Sequence, residues 1–261
     1  MSFRVCTRCR AIFRATYPRC PMDGAEICER PDDPMLGAVL DDRYRVMAPL
    51  GHGAMGRVYR VEHLRTGRHF AAKVMFGDLA AEASMRARFV REAEAASRLH
   101  HPHVVPALDF GDLPGGVPYY TMDFLEGETL GARVRRTGPF GEPAARWLLA
   151  SVAAGLDHAH RRRLVHRDLK PDNIFLARVD HGELAKIMDF GIAYIEDGEA
   201  KERLTQRGLV VGTPSFMAPE QLAGEPVDGR ADIFALGLCV HFALLGGMYI
   251  EPRRAMVRGE V

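Results

Sequence analysis

The spacing of apolar residues changes along this chain, and that change limits the folds it can adopt. Residues 44–63 and 69–75 alternate apolar and polar side chains and include β-branched members, a pattern typical of strands. Residues 82–99 instead carry apolar residues at helical spacing together with i,i+4 charge pairs. Helical spacing then dominates from Pro143 onward. We therefore predict an α+β fold in which a strand-rich part with one helix precedes a helix-rich part.

Composition excludes several classes of protein. The net charge of +1, from 35 basic and 34 acidic residues, gives no general attraction to nucleic acid or to an anionic membrane. Five cysteines, four of them within the first 28 residues, are too few and too clustered for a disulfide scaffold, which favours a reducing compartment, the cytoplasm. The uncharged stretch 233–250 contains glycines and His241, so we interpret it as a buried core helix and expect no membrane segment.

Gly51, Gly53 and Gly56 fit the pattern G-x-G-x-x-G. In a dinucleotide-binding fold this motif opens a helix, whereas here an alternating strand pattern follows it, which argues against a dehydrogenase. The context favours a hairpin whose backbone N–H groups approach nucleotide phosphates. A flexible hairpin without a ligand is the alternative.

Lysine is rare in this chain, since only four of the 35 basic residues are lysine. One of them, Lys73, lies on a predicted strand shortly after the glycines. A compact ammonium at this position can contact phosphate oxygens, and Glu92 in the charged helix is the expected partner that holds it. A solvated surface lysine is the alternative.

The segment 164–174 (LVHRDLKPDNI) and the later Asp189-Phe190-Gly191 complete an ordered set of motifs. With the glycine loop and Lys73 upstream, the chain resembles the eukaryotic-like serine/threonine protein kinases, most closely their bacterial branch. The resemblance covers residues 44 to about 245. It implies a bilobal kinase fold with a β-rich N-lobe (about 44–122) and an α-helical C-lobe (about 126–261), preceded by a zinc-ribbon-like segment (1–28) and a linker (29–43).

The resemblance implies an ATP- and Mg²⁺-dependent enzyme that transfers the γ-phosphoryl group to Ser or Thr hydroxyls of protein substrates. Asp168 would orient the attacking hydroxyl and accept its proton, and Lys170 would neutralise charge on the phosphoryl group. Asn173 and Asp189 would bind Mg²⁺. The remaining residues implied to surround ATP come from the N-lobe and hinge; they are Leu50, Gly51, Gly53, Gly56, Val58, Ala71, Lys73, Met122, Asp123 and Leu125.

Five further residues are implied to regulate or brace this site. Arg167 would pair with a phosphate on the activation loop, for which Thr205 is the candidate. Thr213 would line the site of the substrate hydroxyl. In the family, Glu220 pairs with an arginine from the region beyond the apolar helix, where this sequence leaves the pattern, and Arg253, Arg254 and Arg258 are the candidate substitutes. Asp232 matches the aspartate that holds the backbone of the catalytic loop.

The leader, residues 1–28, contains Cys6, Cys9, Cys20 and a fourth candidate ligand, either Asp23 or Cys28. Cys-x2-Cys spacing of this kind is typical of zinc knuckles. The sequence therefore predicts a zinc site in a leader that folds separately from the kinase. An Arg-rich disordered leader with free thiols is the alternative.

Kinases of this family continue beyond the apolar helix that follows Asp232, and this sequence leaves the pattern after Leu245. We therefore expect a truncated, incomplete C-lobe whose apolar face is covered by self-association or by a partner. A nucleotide-binding scaffold resembling a pseudokinase is the alternative function.

Overall fold

A computed structural model describes residues 3–14, 17–30, 32–190 and 214–247. The chain forms two compact units. The first, called here the sheet unit, comprises Met1–Arg98 and Pro106–Leu125. The second, the helical unit, comprises Leu99–Val105 and Glu126–Val261. The strand-rich part thus precedes the helix-rich part, as predicted.

The sheet unit is built on a six-stranded antiparallel sheet of order β4-β5-β6-β7-β9-β8. Its strands are β4 (Val39–Leu40), β5 (Tyr44–His52), β6 (Gly56–His63), β7 (His69–Met75), β8 (Ala107–Leu113) and β9 (Val117–Asp123). Two helices follow β7, namely α1 (Gly77–Ala80) and α2 (Ala83–Ser97). Helix α2 buries Phe89 and Ala93, which lie four residues apart and so share one helix face. The predicted strands and helix of residues 44–99 are confirmed, whereas β8 was not predicted.

The leader forms its own small sheet and packs on the larger one. Strands β1 (Phe3–Cys6), β2 (Ile12–Phe13) and β3 (Ile27–Arg30) pair in the order β2-β1-β3. Its buried residues share one hydrophobic core with β6, β7 and β9. Ala11 and Phe13 lie so close to Gly77 that a Cβ there would meet them at 2.8 and 2.7 Å. The expectation of a separately folding leader is wrong, because so short a segment can bury its apolar residues only against the sheet unit.

The segment predicted as a linker, residues 29–43, also packs on the sheet. Its first residues end β3, and Val39–Leu40 form the edge strand β4. Met35 and Leu40 are buried. Asp33 is buried as well, and it accepts a hydrogen bond from the Tyr59 hydroxyl at 3.2 Å. This connection is therefore held by side-chain contacts along its length.

The helical unit contains α3 (Leu130–Thr137), α4 (Glu142–His160), α5 (Pro219–Ala223) and α6 (Gly229–Leu245). Helix α3 is capped by Thr129, whose hydroxyl accepts the Ala132 N–H at 3.2 Å. A three-stranded sheet of order β10-β11-β12 also lies here, and the apolar spacing did not predict it. Its strands are β10 (Gly127–Thr129), β11 (Ile174–Val179) and β12 (Gly182–Ile187).

Helix α6 is apolar along its length and carries Asp232 in its first turn. Leu236 and Cys239 on this helix are buried, whereas Ile233 and Phe234 are 53% and 41% exposed. Among the described residues, no helix combines the length and hydropathy needed to cross a bilayer.

Candidate active site

The three glycines of the G-x-G-x-x-G motif lie in the hairpin between β5 and β6. The Gly53 N–H donates to the Gly56 carbonyl at 2.8 Å, which closes the turn. Gly56 packs against β7, because a Cβ added there would lie 2.2 Å from the Val74 carbonyl oxygen. Gly51 and Gly53 have open space around them and are exposed. The hairpin thus leaves the backbone at Gly51 and Gly53 uncovered, while Gly56 is packed against β7.

Lys73 and Glu92 form a buried ion pair in the sheet unit. The Lys73 Nζ lies 3.1 Å from Glu92 Oε1, and both side chains are less than a tenth exposed. The ammonium also lies 5.7 Å from the ring centroid of Tyr120. A charge buried in a protein is costly without a partner. The pair therefore stabilises the packing of helix α2 against strand β7. The partnership predicted from the sequence is present.

Several residues implied to surround ATP lie on adjacent strands and just beyond them. Ala71 on β7 stands opposite Met122 on β9. Asp123 ends β9, and Leu125 is the last residue of the sheet unit. Leu50 on β5 is 48% exposed, so its apolar side chain is available to a ligand.

In the helical unit, the polar residues of the catalytic segment gather around one carboxylate. Lys170 Nζ lies 2.7 Å from Asp168 Oδ2. The Asn173 amide donates to the Asp168 backbone carbonyl at 2.8 Å and to Oδ2 at 3.3 Å. Residues 171–173 form a 3₁₀ turn that folds Asn173 back toward Asp168. A base, a cation and an amide oxygen ligand are thereby held within one short loop.

Asp232 holds the backbone of this loop from α6. Its two carboxylate oxygens accept the N–H groups of His166 and Arg167, each at 2.8 Å. The His160 Nε2 lies 2.7 Å from Oδ2. The carboxylate is 1% exposed and lies in the first turn of α6, where the helix dipole favours a negative charge. The brace expected from the resemblance is present in the geometry.

Two residues of this network have no role in the sequence predictions. His166 is buried, and its Nε2 lies 3.0 Å from the Met188 carbonyl while its Nδ1 accepts the Asp168 N–H at 3.3 Å. In this arrangement Nε2 donates to the Met188 carbonyl and Nδ1 serves as an acceptor. The Gln221 amide donates to the Arg167 carbonyl at 2.8 Å. For His166 the available signal was its place within the catalytic segment 164–174, whereas Gln221 had none.

Asp189 directly follows Met188, a residue that contacts Asn173. The Met188 N–H donates to the Asn173 carbonyl at 2.9 Å, so the two predicted magnesium ligands lie on hydrogen-bonded stretches. Asp189 and Arg167 both have left-handed backbone, with φ of 51° and 64°. Such strain persists only where surrounding contacts enforce it. Burial lowers the pKa of the Arg167 guanidinium.

Thr205, the predicted phosphorylation site, and Thr213, predicted to line the site of the substrate hydroxyl, lie outside the described residues. Glu220 lies in the first turn of α5. The candidate partners Arg253, Arg254 and Arg258 lie outside the described residues.

The leader brings together Cys6, Cys9, Cys20 and Asp23, whose ligand atoms all lie within 4.8 Å of one another. Cys9 Sγ and Cys20 Sγ are 3.8 Å apart. Two sulfurs bound at about 2.3 Å to one tetrahedral zinc would have about the same separation. The N–H groups of Arg8 and Cys9 both point at Cys6 Sγ, each at 3.4 Å, as donors that stabilise a thiolate. The set therefore fits a zinc ion.

Cys28, the alternative fourth ligand, lies outside that cluster. Its thiol contacts the Val5 carbonyl at 3.7 Å on the neighbouring strand. The alternation of side chains along β3 accounts for this, because Cys28 pairs with Val5 and not with Cys6. The geometry favours Asp23.

Comparisons with known proteins agree with this geometry. A sequence profile described as the protein kinase domain matches residues 44–257. The chain is 43% identical over 208 residues to the serine/threonine-protein kinase pkn2 of Myxococcus xanthus, covering 80% of this chain and 25% of the relative. It is 41% identical over 207 residues to the serine/threonine-protein kinase PknF of Mycobacterium tuberculosis, covering 78% of this chain and 43% of the relative.

The crystal structure of the PknI kinase domain of Mycobacterium tuberculosis superposes with a TM-score of 0.65 at 32% identity, covering 84% of this chain and 80% of that one. The chain spans only about a quarter to two fifths of the length of the two curated relatives named above. The profile, in contrast, matches most of the chain and includes every kinase motif described here. The chain belongs to the protein kinase family.

Proposed function

We propose that this chain is a serine/threonine protein kinase that transfers the γ-phosphoryl group of ATP to hydroxyl groups of protein substrates. The observation that carries this proposal is the loop in which Lys170 and Asn173 surround the Asp168 carboxylate. Phosphoryl transfer depends mainly on alignment and on electrostatic stabilisation of the transferred group. A rigid loop with one carboxylate, one ammonium and one amide supplies both.

The residues have separate roles in this reaction. Asp168 accepts the proton of the attacking hydroxyl and orients its oxygen. Lys170 neutralises charge that develops on the transferred group. Lys73, held by Glu92, contacts phosphate oxygens of ATP, and the N–H groups of the glycine hairpin lie over them.

Asn173 and Asp189 offer an amide and a carboxylate oxygen, which are the hard ligands that Mg²⁺ prefers. When bound there, Mg²⁺ would supply positive charge that offsets the negative charge of the phosphates. The residues of the chain keep those two oxygens in place, through the hydrogen bond between Met188 and Asn173 and the left-handed backbone at Asp189.

The test is incubation of the purified full chain with γ-labelled ATP, Mg²⁺ and a protein substrate. Asp168→Asn should reduce transfer at least a thousandfold while ATP affinity stays within about threefold, because Asp168 acts mainly on the transition state. Asp172→Asn is the matched control: this nearby carboxylate is exposed and pairs only loosely with Arg135, at 3.6 Å. Transfer by Asp168→Asn within a few-fold of wild type would contradict the proposed mechanism.

Regulation is proposed through Arg167 and Thr205. A phosphate on Thr205 would attract the half-buried Arg167 guanidinium by charge-assisted hydrogen bonds. Phosphopeptide mapping of active enzyme should find Thr205 modified, and Thr205→Ala should lower turnover. Active enzyme with unmodified Thr205 would contradict this assignment. Thr213 remains the proposed neighbour of the substrate hydroxyl.

We also propose that the leader binds one zinc ion through Cys6, Cys9, Cys20 and Asp23. Support comes from the separation of the Cys9 and Cys20 sulfurs and from the two N–H groups aimed at Cys6. Elemental analysis of protein purified without chelator should find about one zinc per chain, lost in Cys20→Ser.

Cys28→Ser is the control for that measurement and should keep the metal. Retention of zinc by Asp23→Ala with loss by Cys28→Ser would reverse the assignment of the fourth ligand. Protein that contains no zinc at all would end the proposal.

The location and partners are proposed more generally. The five unpaired cysteines support a reducing compartment, the cytoplasm. Protein substrates follow from kinase activity. Self-association or a partner on the exposed side of α6 is a further proposal, and size-exclusion chromatography tests it.

A further inference from the structure

The leader touches the glycine hairpin directly through one side chain. Arg14 follows β2, and its Nη1 donates to the backbone carbonyl of Ala54 at 2.9 Å. Ala54 lies at the tip of the hairpin, between Gly53 and Gly56. This is the part of the hairpin that would lie over the phosphates of ATP.

The same guanidinium is anchored at its other edge. Arg14 Nε and Nη2 both lie 3.0 Å from Asp78 Oδ2 on α1, and the Asp78 side chain is 8% exposed. The guanidinium also lies 5.2 Å from the ring centroid of Phe76. Three nitrogens of a planar group are thus engaged in fixed directions, which a lysine could not reproduce.

This anchor completes the attachment of the hairpin tip. The next carbonyl, that of Met55, accepts the Phe76 N–H at 3.0 Å. Two successive carbonyls are thereby held in place. The Met55 carbonyl is bonded to the Phe76 N–H, and the Ala54 carbonyl is connected to Asp78 through Arg14 of the leader. With Ala54 and Met55 fixed by their carbonyls, the N–H groups of the hairpin have fewer orientations available before a ligand binds.

The position of Arg14 depends on the strand pair that also carries the cysteines. Strands β1 and β2 are joined by residues 7–11, with Arg4 opposite Phe13 and Val5 opposite Ile12. Cys6 ends β1 and Cys9 lies in that connection. A metal ion that joins Cys6 and Cys9 to Cys20 would therefore hold the hairpin from which Arg14 extends. Small metal-binding segments commonly fold only when the metal is bound.

A second contact braces the strand that leaves the glycines. The Arg57 guanidinium on β6 lies 4.7 Å from the ring centroid of Phe3 on β1, and 3.4 Å from the buried Asp33 carboxylate. The leader and the segment after it therefore contact residues on both sides of Gly56.

We propose that Arg14 is a positioning residue for the glycine hairpin, and that zinc bound in the leader keeps Arg14 in place, so that zinc loading sets the affinity for the phosphates of ATP. The inference rests on the proposed binding of ATP and zinc. Its physical basis is preorganisation: a hairpin already held near its bound conformation loses less entropy when the nucleotide binds.

The test measures binding and not turnover. The zinc-loaded full chain is titrated with a non-hydrolysable ATP analogue and Mg²⁺, and separately with adenosine, which has no phosphates. Arg14→Ala should weaken binding of the analogue about five- to tenfold, the effect of one charge-assisted hydrogen bond near the surface. Adenosine affinity should change less than twofold. Arg30→Ala is the matched control, since Arg30 ends β3 just after the leader, has a similar exposure, 49% against 46%, and pairs with Asp32.

Removal of zinc with a zinc-selective chelator should weaken binding of the analogue to the wild-type chain by the same factor. In Arg14→Ala, removal of zinc should cause no further loss of affinity. The rate of amide hydrogen exchange of residues 51–57 should rise both in Arg14→Ala and in the wild-type chain after zinc removal. An Arg14→Ala variant within twofold of wild type, or an equal loss of adenosine affinity, would overturn the positioning role. Unchanged affinity after zinc removal would overturn the role of the metal.

Failure of this inference is distinguishable from failure of the proposed kinase activity. If the chain transferred no phosphoryl group but showed these binding shifts, the inference would stand and the activity would not. Conversely, if the enzyme were active but Arg14→Ala left its nucleotide affinity unchanged, the proposed activity would stand and the inference would not.

Discussion

Replacement of Asp232 should separate the support of the catalytic loop from the chemistry of that loop. The carboxylate accepts two backbone N–H groups at 2.8 Å and contacts His160 at 2.7 Å, all in a buried setting. In Asp232→Asn the side chain keeps one accepting oxygen and presents an NH₂ group where the second oxygen was. If the amide oxygen takes the place of Oδ2, it keeps the contacts with His166 and His160. The NH₂ group then takes the place of Oδ1, and the Arg167 N–H faces a donor.

The magnitude follows from these contacts. A buried N–H that loses its partner costs about 1–3 kcal/mol, and bonds to charged acceptors lie toward the upper end. Asp232→Asn should therefore reduce the free energy of unfolding by about 2–3 kcal/mol. Asp232→Ala, which loses all three contacts, should reduce it by about 3–5 kcal/mol.

The loss should also reach the catalytic step. Arg167 has φ of 64°, a strained conformation next to Asp168 that the Asp232 contact helps to maintain. When that contact is lost the backbone can relax, and Asp168 moves with it. We expect kcat to fall at least tenfold in Asp232→Asn, whereas the KM for ATP changes little.

The assay is urea unfolding followed by circular dichroism, with turnover measured on the same samples. Asp157→Asn serves as control, because Asp157 is 59% exposed and pairs with Arg161 one helical turn away. It should change stability by less than about 0.5 kcal/mol. If Asp232→Ala changed the free energy of unfolding by less than about 0.5 kcal/mol as well, the bracing role would be refuted.

Two further predictions concern the sheets. The guanidinium groups of Arg136 and Arg133 hold the pKa of Glu128 down at about 2, below its ordinary 4.5. Its contribution to stability should therefore be complete above pH 4.5 and lost as the pH falls toward about 2. Glu128→Gln should lower stability at neutral pH and flatten the decline across that acid window; an unchanged acid profile in urea titrations would contradict it. Gly56→Ala should destabilise the chain by about 1–3 kcal/mol, because the added Cβ meets the Val74 carbonyl. Gly53→Ala, with open space around it, is the control and should unfold at the same urea concentration as wild type.

The sequence alone predicted the elements whose apolar period is regular. Strand β7 occupies 69–75 as expected, and α2 lies within the predicted 82–99. Asp168, Lys170 and Asn173 were expected to meet because this segment resembles that of the serine/threonine protein kinases, and the structure places all three in one loop. Glu92 was expected to pair with Lys73 from its place in the middle of the charged helix, and the two side chains form a buried ion pair.

Tertiary structure decided what depends on contacts between distant segments. The choice of Asp23 over Cys28 follows from the register of β3 against β1, which no spacing of cysteines reveals. The docking of the leader depends on the surface of another sheet, against which Phe13 can be buried. Arg14 reaches Ala54 only because that docking places them together. Local spacing records which face of an element is apolar, and the partner of that face is set by the fold as a whole.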